Sequence, residues 1–152
     1  MSKARLAALG LTAAVGLVAT YEGIRQNTYR DAVGIPTICY GHTGKDVRMG
    51  QRATMPECKA LLESDILIAY EGIRKCTNVR LTDGERAAYT SFVFNVGVGA
   101  YCKSRLVRMV NAGDRRAACF ELLRWTYAGG RQLPGLVNRR KSEHQLCLRD
   151  LP

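Results

Sequence analysis

The chain has no Cys-x-x-Cys pair although it holds six cysteines, and that removes the ligand spacing of a structural zinc site. Acidic residues are scarce: 13 Asp and Glu stand against 23 Lys and Arg, a formal net charge of +10. The basic residues are scattered, with no recognition-helix motif and no aromatic stacking platform, which argues against a nucleic-acid partner. No internal repeat or low-complexity segment interrupts the chain, and 152 residues make one domain or a small lobe packed on a larger one, with 47% hydrophobic content ample for a real core. Nor is there an uncharged run of bilayer length. Leu6 to Tyr21 is sixteen residues without a charge, and as a helix it would span roughly 24 Å against a hydrocarbon core of about 30 Å.

What is present is concentrated between Tyr21 and Gly44. Glu22, Asp31 and Thr37 follow one another with eight and then five residues between them. A carboxylic acid ending a helix and a carboxylate in the next turn suit opposite sides of one cleft, the arrangement that cleavage of a glycosidic bond requires. Their surroundings differ. Glu22 closes an apolar stretch, whereas Asp31 lies among polar and Gly-flanked loop residues. Unlike environments suit an acid and a base.

The rest of the chain reads mostly as helix. Asn27 to about Gly50 is a Gly-punctuated hairpin lobe, with Thr37 on a short strand. Thr54-Met-Pro-Glu57 is a capping box with an early Pro, predicting a long helix from Pro56 to Arg74 that joins two lobes. Thr82-Asp-Gly-Glu85 is a second capping box, predicting a helix through Val96 at the centre of the larger lobe. Shorter helices are predicted over Ser104–Asn111, Arg115–Trp125 and Leu136–Leu148.

With these landmarks in order, the chain resembles the phage-type (T-even-like) lysozymes. The resemblance is carried by Glu22-x8-Asp31-x5-Thr37, Tyr40-Gly-His-Thr-Gly44, Phe92-Val-Phe-Asn-Val-Gly-Val-Gly99, Arg124-Trp-Thr-Tyr-Ala-Gly-Gly130 and Gly135-Leu-Val-Asn-Arg-Arg140, and it covers Glu22 to about Leu148. It implies an α+β, mainly α, two-lobed fold with a small β-hairpin lobe. It also implies hydrolysis of the β-1,4 bond between N-acetylmuramic acid and N-acetylglucosamine in bacterial peptidoglycan, by a monomer that needs no cofactor or metal. Glu22 would protonate the leaving oxygen while Asp31 and Thr37 position a water on the opposite face. Asn95 would face the cleft, His42 would form a structural pair with Asp65, and Arg139 or Arg140, with Arg140 favoured, would hold Glu22. Asn95 and Arg140 are thus the substrate-binding candidates. The +10 charge suits a polyanionic wall. A lytic transglycosylase, which needs no water-activating partner, and a non-catalytic basic module that binds wall or membrane are the alternatives. Asp31 and Thr37 argue against the first.

The even cysteine count suggests disulfides in an oxidising compartment, with fifteen possible connectivities. The family fold implies Cys39 with Cys58, Cys76 with Cys102, and Cys119 with Cys147. Residues 1–21 read as an N-terminal apolar segment and first helix preceding a catalytic domain over 22–152. Met-Ser-Lys-Ala-Arg followed by Leu6 to Tyr21 has the basic and apolar regions of a secretory signal. Cleavage would fall so close to Glu22 that the catalytic helix would lose its body. The run therefore resembles a signal-anchor-release segment of some phage endolysins, implying export to the host periplasm with transient inner-membrane association.

Overall fold

In a computed structural model, residues 2–152 are described. The apolar run forms two helices, α1 (Ser2–Ala8) and α2 (Thr12–Glu22), where the sequence predicts one. The break has a local cause. Gly10 is left-handed at φ 71°, the Leu11 N–H donates to the Leu6 carbonyl at 2.8 Å, and the Gly10 N–H donates to Ala7 at 3.1 Å. That hydrogen-bond pair with a glycine at its turn is a Schellman stop. Leu6 and Leu11 are buried together with Ala14 and Val18, against Leu62, Ile66 and Ala87. No described helix is long and apolar enough to cross a membrane.

After α2 the chain makes the small lobe. Strands β1 (Arg25–Arg30) and β2 (Pro36–Cys39) pair antiparallel, with Tyr29 opposite Thr37 and Arg30 opposite Pro36. Ile38, Cys39, Val47, Ala53 and Cys58 form its compact core. Both capping boxes exist as read: Thr54 and Glu57 open α3 (Met55–Arg74), and Thr82 and Glu85 open α4 (Asp83–Val96). In each, side chain and backbone satisfy one another's free groups. Helix α4 carries nine buried residues in its fourteen and is the hub of the larger lobe.

Helix α5 (Val98–Lys103) follows directly on Gly97 and was not expected from the sequence. Helix α6 (Arg105–Asn111) is capped by Ser104. The helix expected over Arg115–Trp125 is shorter: α7 (Arg115–Glu121) tightens into a 3-10 turn at Leu122–Arg124. A second hairpin, β3 (Tyr127–Ala128) and β4 (Arg131–Gln132), turns through Gly129 and Gly130, both at positive φ. Two consecutive positive-φ residues match the strand twist in a two-residue hairpin loop. Helix α8 (Pro134–Leu148) closes the fold and packs chiefly on α4.

The three disulfides are Cys39–Cys58, Cys76–Cys102 and Cys119–Cys147, the pairing the family resemblance implied. Cys39–Cys58 ties the small lobe to α3. Cys119–Cys147 ties α7 to α8 inside the larger lobe, where both cysteines are buried.

Candidate active site

Glu22 is the last residue of α2, so burial of Leu11, Ala14 and Val18 fixes where its carboxylate emerges. Tyr21 helps: its hydroxyl lies 3.1 Å from the Asn138 carbonyl and 2.8 Å from Ser142 Oγ, binding the end of α2 to α8. The Glu22 side chain remains one-quarter exposed. Its Oε1 accepts a 2.8 Å hydrogen bond from Arg139 Nη1. Its Oε2 faces the small lobe at Gly41, where a Cβ would lie 3.3 Å away. Gly41 sits at φ 80°, so the turn needs glycine for its backbone and offers the carboxylate close approach.

Asp31 heads the turn between β1 and β2. Its Oδ1 accepts from the backbone N–H groups of Val33 (3.0 Å) and Ile35 (2.9 Å), which locks the turn and leaves Oδ2 without a partner among the described residues. Thr37 is buried on β2 and donates its hydroxyl to the Ile35 carbonyl at 2.8 Å. Asp31 and Thr37 therefore share Ile35 as a common fixed point. Next to them His42 lies 2.7 Å from Asp65 and 2.9 Å from Asp46. Burial works against the charged ring, but the hydrogen bonds to Asp65 and Asp46 outweigh it and raise the His42 pKa above its ordinary value. The pair with Asp65 ties the small lobe to α3, as expected; Asp46, from the same loop as His42, is an addition.

The expected partnership of Arg140 with Glu22 is corrected. Arg139 makes that contact, and Arg140, 1% exposed, lies too deep to touch a substrate. Neighbouring helical residues point about 100° apart, so when Arg139 faces the end of α2, Arg140 faces the end of α4. There Arg140 Nη2 donates to Asn95 Oδ1, Nε donates to the Trp125 carbonyl at 2.9 Å, and Nη1 reaches both oxygens of Glu143 at 2.5 and 2.8 Å. Asn95 is exposed where α4 ends, with Arg140 behind it. Glu143 was missed by the sequence reading. Its only trace is an i,i+3 and i,i+4 relation to the two arginines, a spacing that usually marks a solvated surface pair.

The sequence and fold that carry this arrangement, a helix-terminal glutamate held by an arginine and facing the glycine turn of a β-hairpin lobe, are similar to those of known proteins. Residues 19–143 match the phage lysozyme family. The chain belongs to that family. It is thus a glycoside hydrolase, a muramidase, with peptidoglycan as its substrate. A SAR-endolysin of bacteriophage PS119 is 47% identical over 127 residues, 84% of this chain and 76% of that protein. The solved structure of a P22 lysozyme mutant superposes with a TM-score of 0.81 at 32% identity, covering 90% of this chain and 96% of the other. The active form of the P1 phage endolysin Lyz gives 0.82 at 29% identity, covering 93% and 85%, whereas its secreted inactive form gives 0.62 at 26%, covering 93% and 96%. The fold is therefore more similar to the active form of that endolysin than to its secreted inactive form.

Proposed function

We propose that this lysozyme is an endolysin that cleaves the β-1,4 bond between N-acetylmuramic acid and N-acetylglucosamine with inversion, for host lysis and phage release. Glu22 is the general acid, and Asp31 with Thr37 positions the attacking water. The observation that carries the reading is the division of labour on Glu22: Arg139 occupies Oε1, and Oε2 is left facing the small lobe to hold the transferable proton. Asp31 is divided in the same way, with Oδ1 bound to the backbone and Oδ2 available to a water. Asn95 binds substrate. An exposed side-chain amide at the end of α4 can hydrogen-bond a sugar substituent, and it does so as a donor because Arg140 takes its oxygen.

The test is lysis of outer-membrane-permeabilised cells, followed by turbidity, with Glu22→Gln beside the parent protein. The amide keeps size and removes the proton, so the rate should fall by about 10²- to 10⁴-fold with folding intact. Activity within a few-fold of the parent would take the acid role from Glu22. NMR of fresh product should show the inverted anomer; β-anomer first would contradict the water geometry, and an anhydro-muramyl end would mark a transglycosylase.

The protein acts as a monomer, and the wall is its partner. Before folding, Leu6 to Tyr21 serves as a signal-anchor that carries the chain to the periplasm with transient inner-membrane association. The relatives named SAR-endolysins support this, as does an uncharged run that is weak as a span. Gly16 is exposed, and a Cβ added there would meet no atom within 4 Å, so Gly16→Leu strengthens insertion without disturbing the packed helix. Cells expressing each form, fractionated before and after an uncoupler, should retain the Leu form in the membrane and release the parent. A parent form never found in the membrane fraction would remove the anchor.

A further inference from the structure

Glu143 has no exposed surface, and it lies between two arginines that are 3% and 1% exposed. Both its oxygens accept from Arg140, Ser91 Oγ donates to Oε1 at 3.3 Å, and Arg139 Nε lies 3.3 Å from the same oxygen. From the far side of the two guanidiniums, Arg139 reaches Glu22 and the Ser91 carbonyl, and Arg140 reaches Asn95 and the Trp125 carbonyl. One carboxylate thus stands behind two cleft residues carried on different helices, Glu22 at the end of α2 and Asn95 at the end of α4. Among the described residues, Arg139 and Arg140 are the charged groups that face it. Helix α4 adds Ser91 and Asn95, α2 adds Glu22 through Arg139, and the segment after α7 adds only a carbonyl.

Stability does not explain this arrangement. Burying a charged pair costs desolvation that its attraction often fails to recover, and apolar residues of similar volume frequently serve as well or better. Arginine keeps its charge in any environment, so the two guanidiniums favour the ionised form of Glu143, although burial pushes its carboxyl up to about 7. A guanidinium only donates, so Arg140 fixes Asn95 with its oxygen inward and its N–H groups toward the cleft.

We propose that Glu143 is a positioning residue for the reaction: it fixes Arg139 on Glu22 and Arg140 on Asn95, so that the acid and the amide donor keep one separation. The inference rests on Glu22 as the acid and Asn95 as a substrate-binding group. Glu143→Gln tests it in the full chain. kcat, KM and the pH–rate profile on soluble glycan fragments are read beside circular dichroism. With Glu143 neutral, the charge of Arg139 is no longer shared and acts on Glu22 alone, so the alkaline limb should move to lower pH. KM should rise several-fold as Asn95 loses its anchor. A folded variant with the limb and KM unmoved overturns the proposal, even if it melts lower, because a purely structural role predicts that result.

Should Glu143→Gln fail to fold, Arg140→Leu combined with Glu143→Leu removes the pair while keeping the volume apolar. There kcat should fall about tenfold, the scale of a lost orienting contact, with KM raised; both within twofold of the parent overturn the proposal. Glu22→Gln in the same assay separates the two readings. Retained activity in Glu22→Gln overturns both, whereas its loss together with an unmoved limb and an unmoved KM in Glu143→Gln overturns only the positioning role.

Discussion

Gly10 and Gly16 lie six residues apart in the same apolar run, and the structure assigns them opposite responses to one added methyl group. At Gly10 the backbone is at φ 71°, and a Cβ would stand 2.6 Å from Asp83 Cγ. An alanine there costs about 1–2 kcal/mol for the left-handed backbone. It also pushes on a local assembly in which Arg86 pairs with Asp83 and donates from Nε to the Leu9 carbonyl at 2.9 Å; losing one such hydrogen bond adds about 1 kcal/mol. The total, about 2–3 kcal/mol, lowers the melting temperature of a domain this size by roughly 5–10 °C. Gly16 is exposed inside α2 with nothing near it, so Gly16→Ala gains about 0.5–1 kcal/mol of helix propensity and raises the midpoint by a few degrees. Differential scanning calorimetry of the two variants beside the parent reads both signs at once. A Gly10→Ala protein that melts at or above the parent would refute the turn and its contact with α4 as the device that docks α1, and a destabilised Gly16→Ala would refute the open helical setting.

Two more outcomes follow from other parts of the fold. Replacing Cys119 and Cys147 together by alanine reopens a loop of sequence separation 28, which releases about 3.5 kcal/mol of chain entropy to the unfolded state; thermal melts should drop by roughly 7–14 °C, and an unchanged midpoint would deny the cross-link any role in stability. His42 should titrate by NMR above its ordinary value of about 6.5, and since the raised value belongs to the folded state, its stabilisation is complete below that ordinary value and fades as pH rises through the raised one. Asp65→Asn should bring the titration down and flatten that part of the stability profile, and a titration unchanged in Asp65→Asn would dismiss the pair.

The elements most legible in the sequence were those fixed by short-range chemistry. Thr54 with Glu57 and Thr82 with Glu85 name the starts of α3 and α4 because each box closes within four residues. The break at Gly10 was hidden for the opposite reason: the run is uncharged and mostly apolar on all faces, so no periodicity marks where one helix stops. Helix α5 escaped notice because its six residues are too few to show a period, and β3 and β4 because two-residue strands carry no alternation, although Gly129-Gly130 signalled their turn. In the site, Glu22 and Asp31 were singled out by their spacing read together with the family landmarks that follow in order. Arg139 could not be told from Arg140, since that choice depends on the rotation of α8 about its axis, and α8 buries two arginines and a glutamate where an apolar stripe would have disclosed it.

The disulfides have an order as well as a location. Residues 39 and 58, 76 and 102, and 119 and 147 form three loops that neither overlap nor nest. A chain that emerges N-terminus first therefore presents each cysteine's correct partner as the next one to arrive. Pairing by order of arrival reaches the native connectivity without reshuffling, so correct oxidation can keep pace with emergence. A wrong bond forms when a pair is still open as the next cysteine appears, so prompt closure of Cys39–Cys58 and then of Cys76–Cys102 protects the pairs that follow.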